Sequence, residues 1–231
     1  MADTGLRALD RDLWTIDQPL RAGGLELGVR TCVIRLGDGG TLVHAPGPLT
    51  AGLRSEIEAL GPVRALIAPN LLHHLFLAPC AQAFAQARVF GAPGLREKLA
   101  STRIDEVLGE EAPPLWAAEL DQLLVQGAPR LNELVFLHRA SRTLVCLDLC
   151  FNVRRSASLF TRLFMRANGA WGRFGPSRLF RYAMLSDARA LRRSVDRILA
   201  WDFERVTVAH GDVLESGGRE ALRESFAWLR G

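Results

Sequence analysis

Histidine and aspartate side chains are the groups of this sequence that could hold a metal ion. The five histidines are His44, His73, His74, His138 and His210. Imidazole nitrogens and carboxylate oxygens are the usual protein ligands of zinc and iron. Most of these histidines, and Asp148, directly follow a predicted strand, and ligands bind at the carboxyl ends of strands in layered α/β proteins. The placement indicates a metal site; the alternative is that these side chains make structural hydrogen bonds.

The strands and helices that would position these groups are predicted in an order typical of a layered α/β protein. Apolar and β-branched runs predict strands at 12–17, 30–36, 41–44, 64–68, 88–90, 121–125, 133–138, 143–147 and 205–209. Apolar residues at helical spacing predict helices at 50–60, 75–84, 95–100, 188–201 and 219–229, and residues 101–118 are predicted to be a loop. This order predicts one α/β domain over residues 1–231, with two sheets facing each other and helices outside.

The composition is that of a globular protein. Hydrophobic residues make up 48% of the 231 residues, which provides a sizeable core and argues against disorder. No apolar run reaches the roughly 18 residues that span a bilayer. The N-terminal stretch MADTGLRALDRDLW has dispersed charges and no apolar core of a signal peptide. We therefore expect a cytoplasmic protein whose cysteines, Cys32, Cys80, Cys146 and Cys150, are buried free thiols.

Residues 152–184 differ from the rest of the chain, whose net charge is only +4. The segment contains no acid, and its basic and aromatic residues are Arg154, Arg155, Arg162, Arg166, Arg173, Arg178, Arg181, Phe160, Phe164, Trp171, Phe174, Phe180 and Tyr182. We predict a helical, partly mobile lid that follows Asp148; the alternative is a packed segment with a solvated basic face. Arginines that bind carboxylate or phosphate suit a small anionic substrate, and a basic aromatic helix suits peripheral contact with an anionic membrane. Because the cluster is short, no nucleic-acid partner is expected.

Four stretches of the sequence resemble, in order, motifs of the metallo-β-lactamase-fold superfamily. RTCVIRLGDGGTLVHAPGPLT is similar to its opening hairpin, and PNLLHHLFL lies where its H-x-H-x-D-H motif would be. SRTLVCLDLCF resembles the strand whose aspartate bridges two metals, and VTVAHGD resembles its last histidine motif. Over about residues 13–229 the chain is similar to an uncharacterised bacterial and plant family of this superfamily with an N-x-x-H-H variant of the first motif. The resemblance implies a four-layer αββα sandwich.

The ligand set that this resemblance implies is reduced. If His74 takes the last histidine place of the first motif, His73 falls on the aspartate place, and Pro69 and Leu71 stand where two further ligands would be. The stretch GAPRLNE, which is comparable to the superfamily's next histidine motif, has no histidine. Asp148 and His210 carry over directly, and His74 is expected to join them. His73, His138 and Glu133 are further candidates, and His44 is a remote one.

Two functions remain open at this point. Three ligands and an open position suffice for one catalytic ion, zinc or iron, which could activate water as a nucleophile. The chain would then be a metal-dependent hydrolase of a small-molecule ester, thioester or phosphoester, with Asp148 as the catalytic residue. The alternative is a metal-free pseudoenzyme or binding protein that keeps the fold and the pocket.

Overall fold

A computed structural model describes residues 5–230. The strands are β1 Arg7–Asp10, β2 Leu13–Gln18, β3 Arg21–Ala22, β4 Leu25–Glu26, β5 Val29–Arg35, β6 Thr41–His44, β7 Val63–Ala68, β8 Arg88–Gly91, β9 Glu106–Val107, β10 Leu120–Leu124, β11 Leu134–His138, β12 Thr143–Val145 and β13 Arg205–Thr207. The helices are α1 Ala51–Leu60, α2 Leu77–Ala83, α3 Leu95–Lys98, α4 Leu159–Ala167, α5 Ala188–Leu199 and α6 Gly218–Ser225, with a π-helical turn at Phe180–Met184 and a 3₁₀ turn at Ala227–Arg230. The chain divides into two compact units, residues 1–18 with 30–120, and residues 19–29 with 121–231.

The first unit is built on a seven-stranded mixed sheet. The strand order is β1-β2-β5-β6-β7-β8-β9, and the run from β6 to β9 is parallel. The loops that follow β6 and β7 therefore emerge at the same edge of the sheet. Helix α1 begins where the Thr50 hydroxyl accepts a hydrogen bond from the Leu53 amide, and its buried residues Leu53 and Ile57 join the core of this unit.

The second unit contains a four-stranded sheet in the order β10-β11-β12-β13, and a separate β3–β4 hairpin. Strands β11 and β12 are antiparallel, whereas β12 and β13 are parallel. A parallel pair needs a long crossover connection, and residues 146–204 provide it. The amphipathic helix α5 lies within this crossover and buries Leu191, Val195 and Ile198 in the core of the unit.

The predicted elements agree with the observed ones in type, and differ at their ends. The predicted loop at 101–118 contains the short strand β9, and the predicted helix at 219–229 ends at Ser225 and continues as the 3₁₀ turn. The strand β1 and the β3–β4 hairpin were not predicted, because their sequences lack a sustained apolar alternation.

Residues 152–184 form the helix α4, the π-helical turn and the loops around them. An isolated bridge from Asn152 to Gly211 holds the segment to the rest of the second unit, and a bridge from Val153 to Trp171 lies within the segment. Val153, Met165 and Ala170 form a small buried cluster. That the segment acts as a mobile lid stays a prediction. No helix in the described part of the chain is long and apolar enough to cross a membrane.

Candidate metal centre

The pairing of β12 with β13 brings Asp148 and His210 together. The parallel register ends with Val145 opposite Thr207, and each of the two side chains stands three residues beyond that pair. Backbone hydrogen bonds continue past the strands, from the Cys146 amide to the Thr207 carbonyl and from the Ala209 amide to the Leu147 carbonyl. Residues that are 62 apart in sequence therefore leave the same edge of the sheet side by side.

His210 is held so that its Nε2 atom points at the Asp148 carboxylate. The two atoms, His210 Nε2 and Asp148 Oδ1, are 3.4 Å apart, and both side chains are buried. On the other side of the ring, Nδ1 donates a hydrogen bond of 2.8 Å to the carbonyl of Gly28. Because a carbonyl only accepts, Nδ1 carries a proton, and Nε2 is the ring nitrogen that faces Asp148. The Phe151 ring stacks on the imidazole, with 5.4 Å between the centroids.

Glu133 shapes the turn that carries Asp148. Its carboxylate accepts hydrogen bonds from three consecutive backbone amides, those of Leu147, Asp148 and Leu149, at 2.8–3.3 Å. The side chain is buried, and three N–H donors aimed at one point form a backbone nest for an anion. Glu133 was a candidate ligand in the sequence. Its carboxylate oxygens instead orient the backbone around Asp148.

Asn70 shapes the loop that carries His73. Its side-chain oxygen accepts hydrogen bonds from the amides of Leu72, at 2.9 Å, and His73, at 2.7 Å, an Asx-type turn. Lys98, the only lysine of the chain, donates from Nζ to the Leu71 carbonyl. The asparagine of the N-x-x-H-H stretch therefore has a local role, which is to fix the backbone that leads into the first histidine.

His44 lies at the end of β6, in the same unit as His73. Burial, and secondarily the nearby His73, lower the pKa of His44 to about 3. The ring is therefore neutral at physiological pH. A neutral buried imidazole beside a candidate ligand suits a role in supporting that ligand.

His74 follows His73 in the first unit, and His138 lies in the second unit. Burial, followed by the positive charge of Lys98, lowers the pKa of His74, and its backbone amide bonds to the Leu72 carbonyl. His138 pairs with Thr143 at the start of β12, so it lies at the opposite end of this strand from Asp148. At about 3.3 Å per residue, the five-residue step corresponds to roughly 16 Å. His138 Nδ1 instead contacts the Ser141 hydroxyl at 2.7 Å.

Of the two thiols that flank the Asp148 turn, that of Cys146 is not suited to metal binding or catalysis at neutral pH. The hydrogen bond with Cys150, followed by burial, raises the pKa of the Cys146 thiol well above its ordinary value. A thiolate is the form that attacks or ligates. All four cysteines are buried and unoxidised, as predicted.

Within the second unit, Asp148 and His210 lie close enough together to share a metal ion. His73 and His74 belong to the first unit, and both stay candidates for a further ligand.

The fold is the metallo-β-lactamase-like fold, as comparison with solved structures shows. A metallo-β-lactamase from Pontibacter korlensis matches with a TM-score of 0.67 at 12% identity, over 98% of both chains. A metallo-β-lactamase from Hirschia baltica gives 0.64 at 13% identity, over 97% of this chain and 96% of that one. The metal-soaked Flv1 flavodiiron core from Synechocystis sp. PCC6803 gives 0.70 at 13% identity, over 99% of this chain and 61% of that one. The predicted αββα fold class is thereby confirmed.

The chain belongs to the family described as Domain of unknown function (DUF4336), whose model matches residues 10–168. None of the curated proteins matches the sequence. Asp148 and the Asn70–His74 loop lie inside the matched range, and His210 lies outside it.

Proposed function

We propose that this protein is a metal-dependent hydrolase that uses one zinc or iron ion, held by Asp148, His210 and His73. The observation that carries the proposal is the Asp148–His210 pair. Two buried groups of the types that bind these metals stand at the edge where ligands bind in layered α/β folds.

The spacing of the pair fits a shared ion. Two ligand atoms that each lie about 2.0–2.1 Å from a tetrahedral ion are about 3.4 Å apart. The observed distance between His210 Nε2 and Asp148 Oδ1 is 3.4 Å. A direct charge-assisted hydrogen bond would be shorter, at about 2.7–2.9 Å. In metal-binding histidines, the ring nitrogen that does not bind the metal usually donates a hydrogen bond that orients the ring. The hydrogen bond from His210 Nδ1 to the Gly28 carbonyl is of this kind.

A third ligand would leave one coordination position open, and we propose His73, a candidate from the sequence, for this place. In such a site a divalent ion supplies Lewis-acid activation of water and of the scissile carbonyl or phosphoryl group. The chain's own residues have separate tasks. Gly28 fixes the His210 tautomer, Glu133 holds the Asp148 turn, and Asn70 holds the His73 loop.

We propose a small molecule with an ester, thioester or phosphoester bond and a negative charge as the substrate. A chain of contacts leads from the metal-binding edge to a cation. The Asn152 amide donates to the His210 carbonyl at 3.1 Å, and the Asn152 side-chain oxygen accepts from Arg154 Nε at 3.2 Å. The exposed Arg154 guanidinium is therefore fixed relative to His210, where it could bind a carboxylate or phosphate group.

The test combines metal analysis with turnover. Protein purified without a His tag and without added metal should contain about one equivalent of zinc or iron, and should hydrolyse members of an ester, thioester and phosphoester panel. Asp148→Asn should lose the metal and at least about a hundredfold in turnover, because an amide is a poor metal ligand. The matched control is Asp212→Asn, which removes an acid two residues from His210 and should change neither.

The alternative function is a metal-free binding protein with the same fold. Metal content at background, with no turnover over the whole panel after reconstitution with zinc or iron, would contradict the hydrolase and leave this alternative. Unchanged metal content in Asp148→Asn would contradict the ligand assignment alone.

A further inference from the structure

Helix α4 is amphipathic, and its apolar face is turned outward. Its exposed side chains include Leu159, Phe160, Leu163 and Phe164, with 60%, 57%, 56% and 37% of their surface accessible. Thr161 and Met165 are the buried residues of the helix. A surface helix of a globular protein normally buries its large apolar residues, so this orientation is the reverse of the usual one.

Contacts on the inner side of α4 fix this orientation. The Thr161 hydroxyl accepts a hydrogen bond of 2.9 Å from the Glu26 amide in the β3–β4 hairpin. Met165 packs in the small cluster with Val153 and Ala170. At 100° per residue, Leu163 projects on the side of the helix opposite Thr161 and Met165. The large side chains therefore cannot turn inward without breaking the buried contacts.

The segment that carries this face is basic and contains no acid. Residues 152–184 contain seven arginines, and six of these seven side chains are exposed. Within residues 5–230 none of the seven is paired with a carboxylate, whereas Arg88 elsewhere pairs with Glu106 at 2.7 Å. The exposed Leu179 and Tyr182 extend the apolar surface beyond α4.

We propose that this surface docks on an anionic membrane surface. Exposed apolar side chains on one helical face, in a segment rich in arginines without carboxylate partners, are the combination that an interfacial helix uses. The apolar residues would enter the boundary between headgroups and acyl chains, and the arginines would bind lipid phosphates. An aqueous anion would account for the arginines and leave the four apolar side chains of α4 in water.

Vesicle co-sedimentation of the full chain tests the proposal. The protein should bind phosphatidylglycerol vesicles at low salt, bind phosphatidylcholine vesicles at least about tenfold less, and lose most of the binding at about 0.5 M salt. The double variant Phe160→Ser/Leu163→Ser and the single variant Arg155→Glu should each weaken binding at least about tenfold. Because these side chains are exposed, both variants should keep the unfolding midpoint of the wild type.

Two matched controls define the surface. Leu75→Ser changes a leucine that is 61% exposed outside the segment, and Arg189→Glu reverses an exposed charge on α5; both should bind as the wild type does. Equal binding to both lipids, no binding at low salt, or full binding by the α4 variant would overturn the proposal. So would a dimer in light scattering that dissociates in Phe160→Ser/Leu163→Ser, because the face would then bind a second copy of the chain.

Discussion

At the scale of single residues, Glu133 is the acid whose removal should cost the most stability. The three amides that it binds belong to the turn carrying Asp148, and the turn is buried. In Glu133→Gln the new amide nitrogen cannot accept, so at least one backbone N–H loses its partner. An unsatisfied buried donor costs about 1–3 kcal/mol. We expect the free energy of unfolding in urea to fall by about 2–3 kcal/mol.

Glu224→Gln is the control for this prediction, because Glu224 is an exposed acid of the same unit. It should change the free energy of unfolding by less than about 0.5 kcal/mol. If Glu133→Gln were as mild as the control, the amide nest would not hold the turn.

His44 should make the protein sensitive to acid. Its folded pKa is about 3, below the ordinary 6.5, because burial disfavours the charged form. Between these two values the unfolded chain binds a proton that the folded chain does not, so stability falls as the pH falls. One such proton corresponds to about 1.4 kcal/mol per pH unit.

The measurement is the free energy of unfolding of the chelated protein from pH 7 down to pH 4. His44→Leu should have a slope that is shallower by about 1.4 kcal/mol per pH unit below pH 6, because the variant lacks this titration. Equal slopes in wild type and variant would mean that His44 is protonated in the folded state.

At the scale of elements, the type of most strands and helices could be predicted from apolar periodicity, and the residues at the strand ends could be identified as candidates. The tertiary contacts of these candidate residues could not be predicted. His210 and Gly28 are 182 residues apart, and their hydrogen bond depends on tertiary packing. Nothing in the pattern distinguishes His73 from His74, because adjacent residues differ only in where the backbone points them. The sequence signal for the conformation of this loop was Asn70. An asparagine two and three residues before the amides that it accepts from is typical of an Asx turn.

Gly211 lies four residues after β13 and forms a bridge with Asn152, at the start of residues 152–184. Its φ is +106°, and a Cβ atom built there would lie 2.2 Å from the Asn152 carbonyl oxygen. Gly217 also has a positive φ, of +66°, but nothing lies within 4 Å of its Cβ position. Gly211→Ala should therefore be less stable than Gly217→Ala by at least about 2 kcal/mol, since only the first adds a backbone clash to the conformational cost.

Urea unfolding of the two glycine variants measures this difference. Similar midpoints would show that the Asn152 backbone can move away from Gly211 at little cost in stability.

At the scale of the whole molecule, metal binding should raise the free energy of unfolding. A ligand that binds only the folded state adds about 2.7 kcal/mol at a hundred times its dissociation constant. For a chain of this length, each kcal/mol corresponds to about 2–4 °C in the unfolding midpoint. Zinc added to the chelated protein should therefore raise the midpoint by about 5–10 °C.

Two adjacent histidine variants make this measurement specific. His73→Asn should lose most of the zinc-dependent rise, and His74→Asn should keep it. The reverse result would restore the ligand set expected from the superfamily motif, and equal rises in both variants would remove the 70–74 loop from the metal site.

The register of β12 and β13 also has a consequence for engineering and for divergence. The positions of Asp148 and His210 depend on the hydrogen bonds of two short strands and on the three residues that follow each of them. Between Asn152 and α5, the crossover contributes no side chain to the pair. Its middle could therefore be lengthened, shortened or exchanged for a foreign sequence without changing the distance between the two groups, provided that the Asn152–Gly211 bridge and α5 are kept. A single residue inserted between Thr207 and His210 would have the opposite effect, turning the imidazole to the other face of the chain and separating the pair completely.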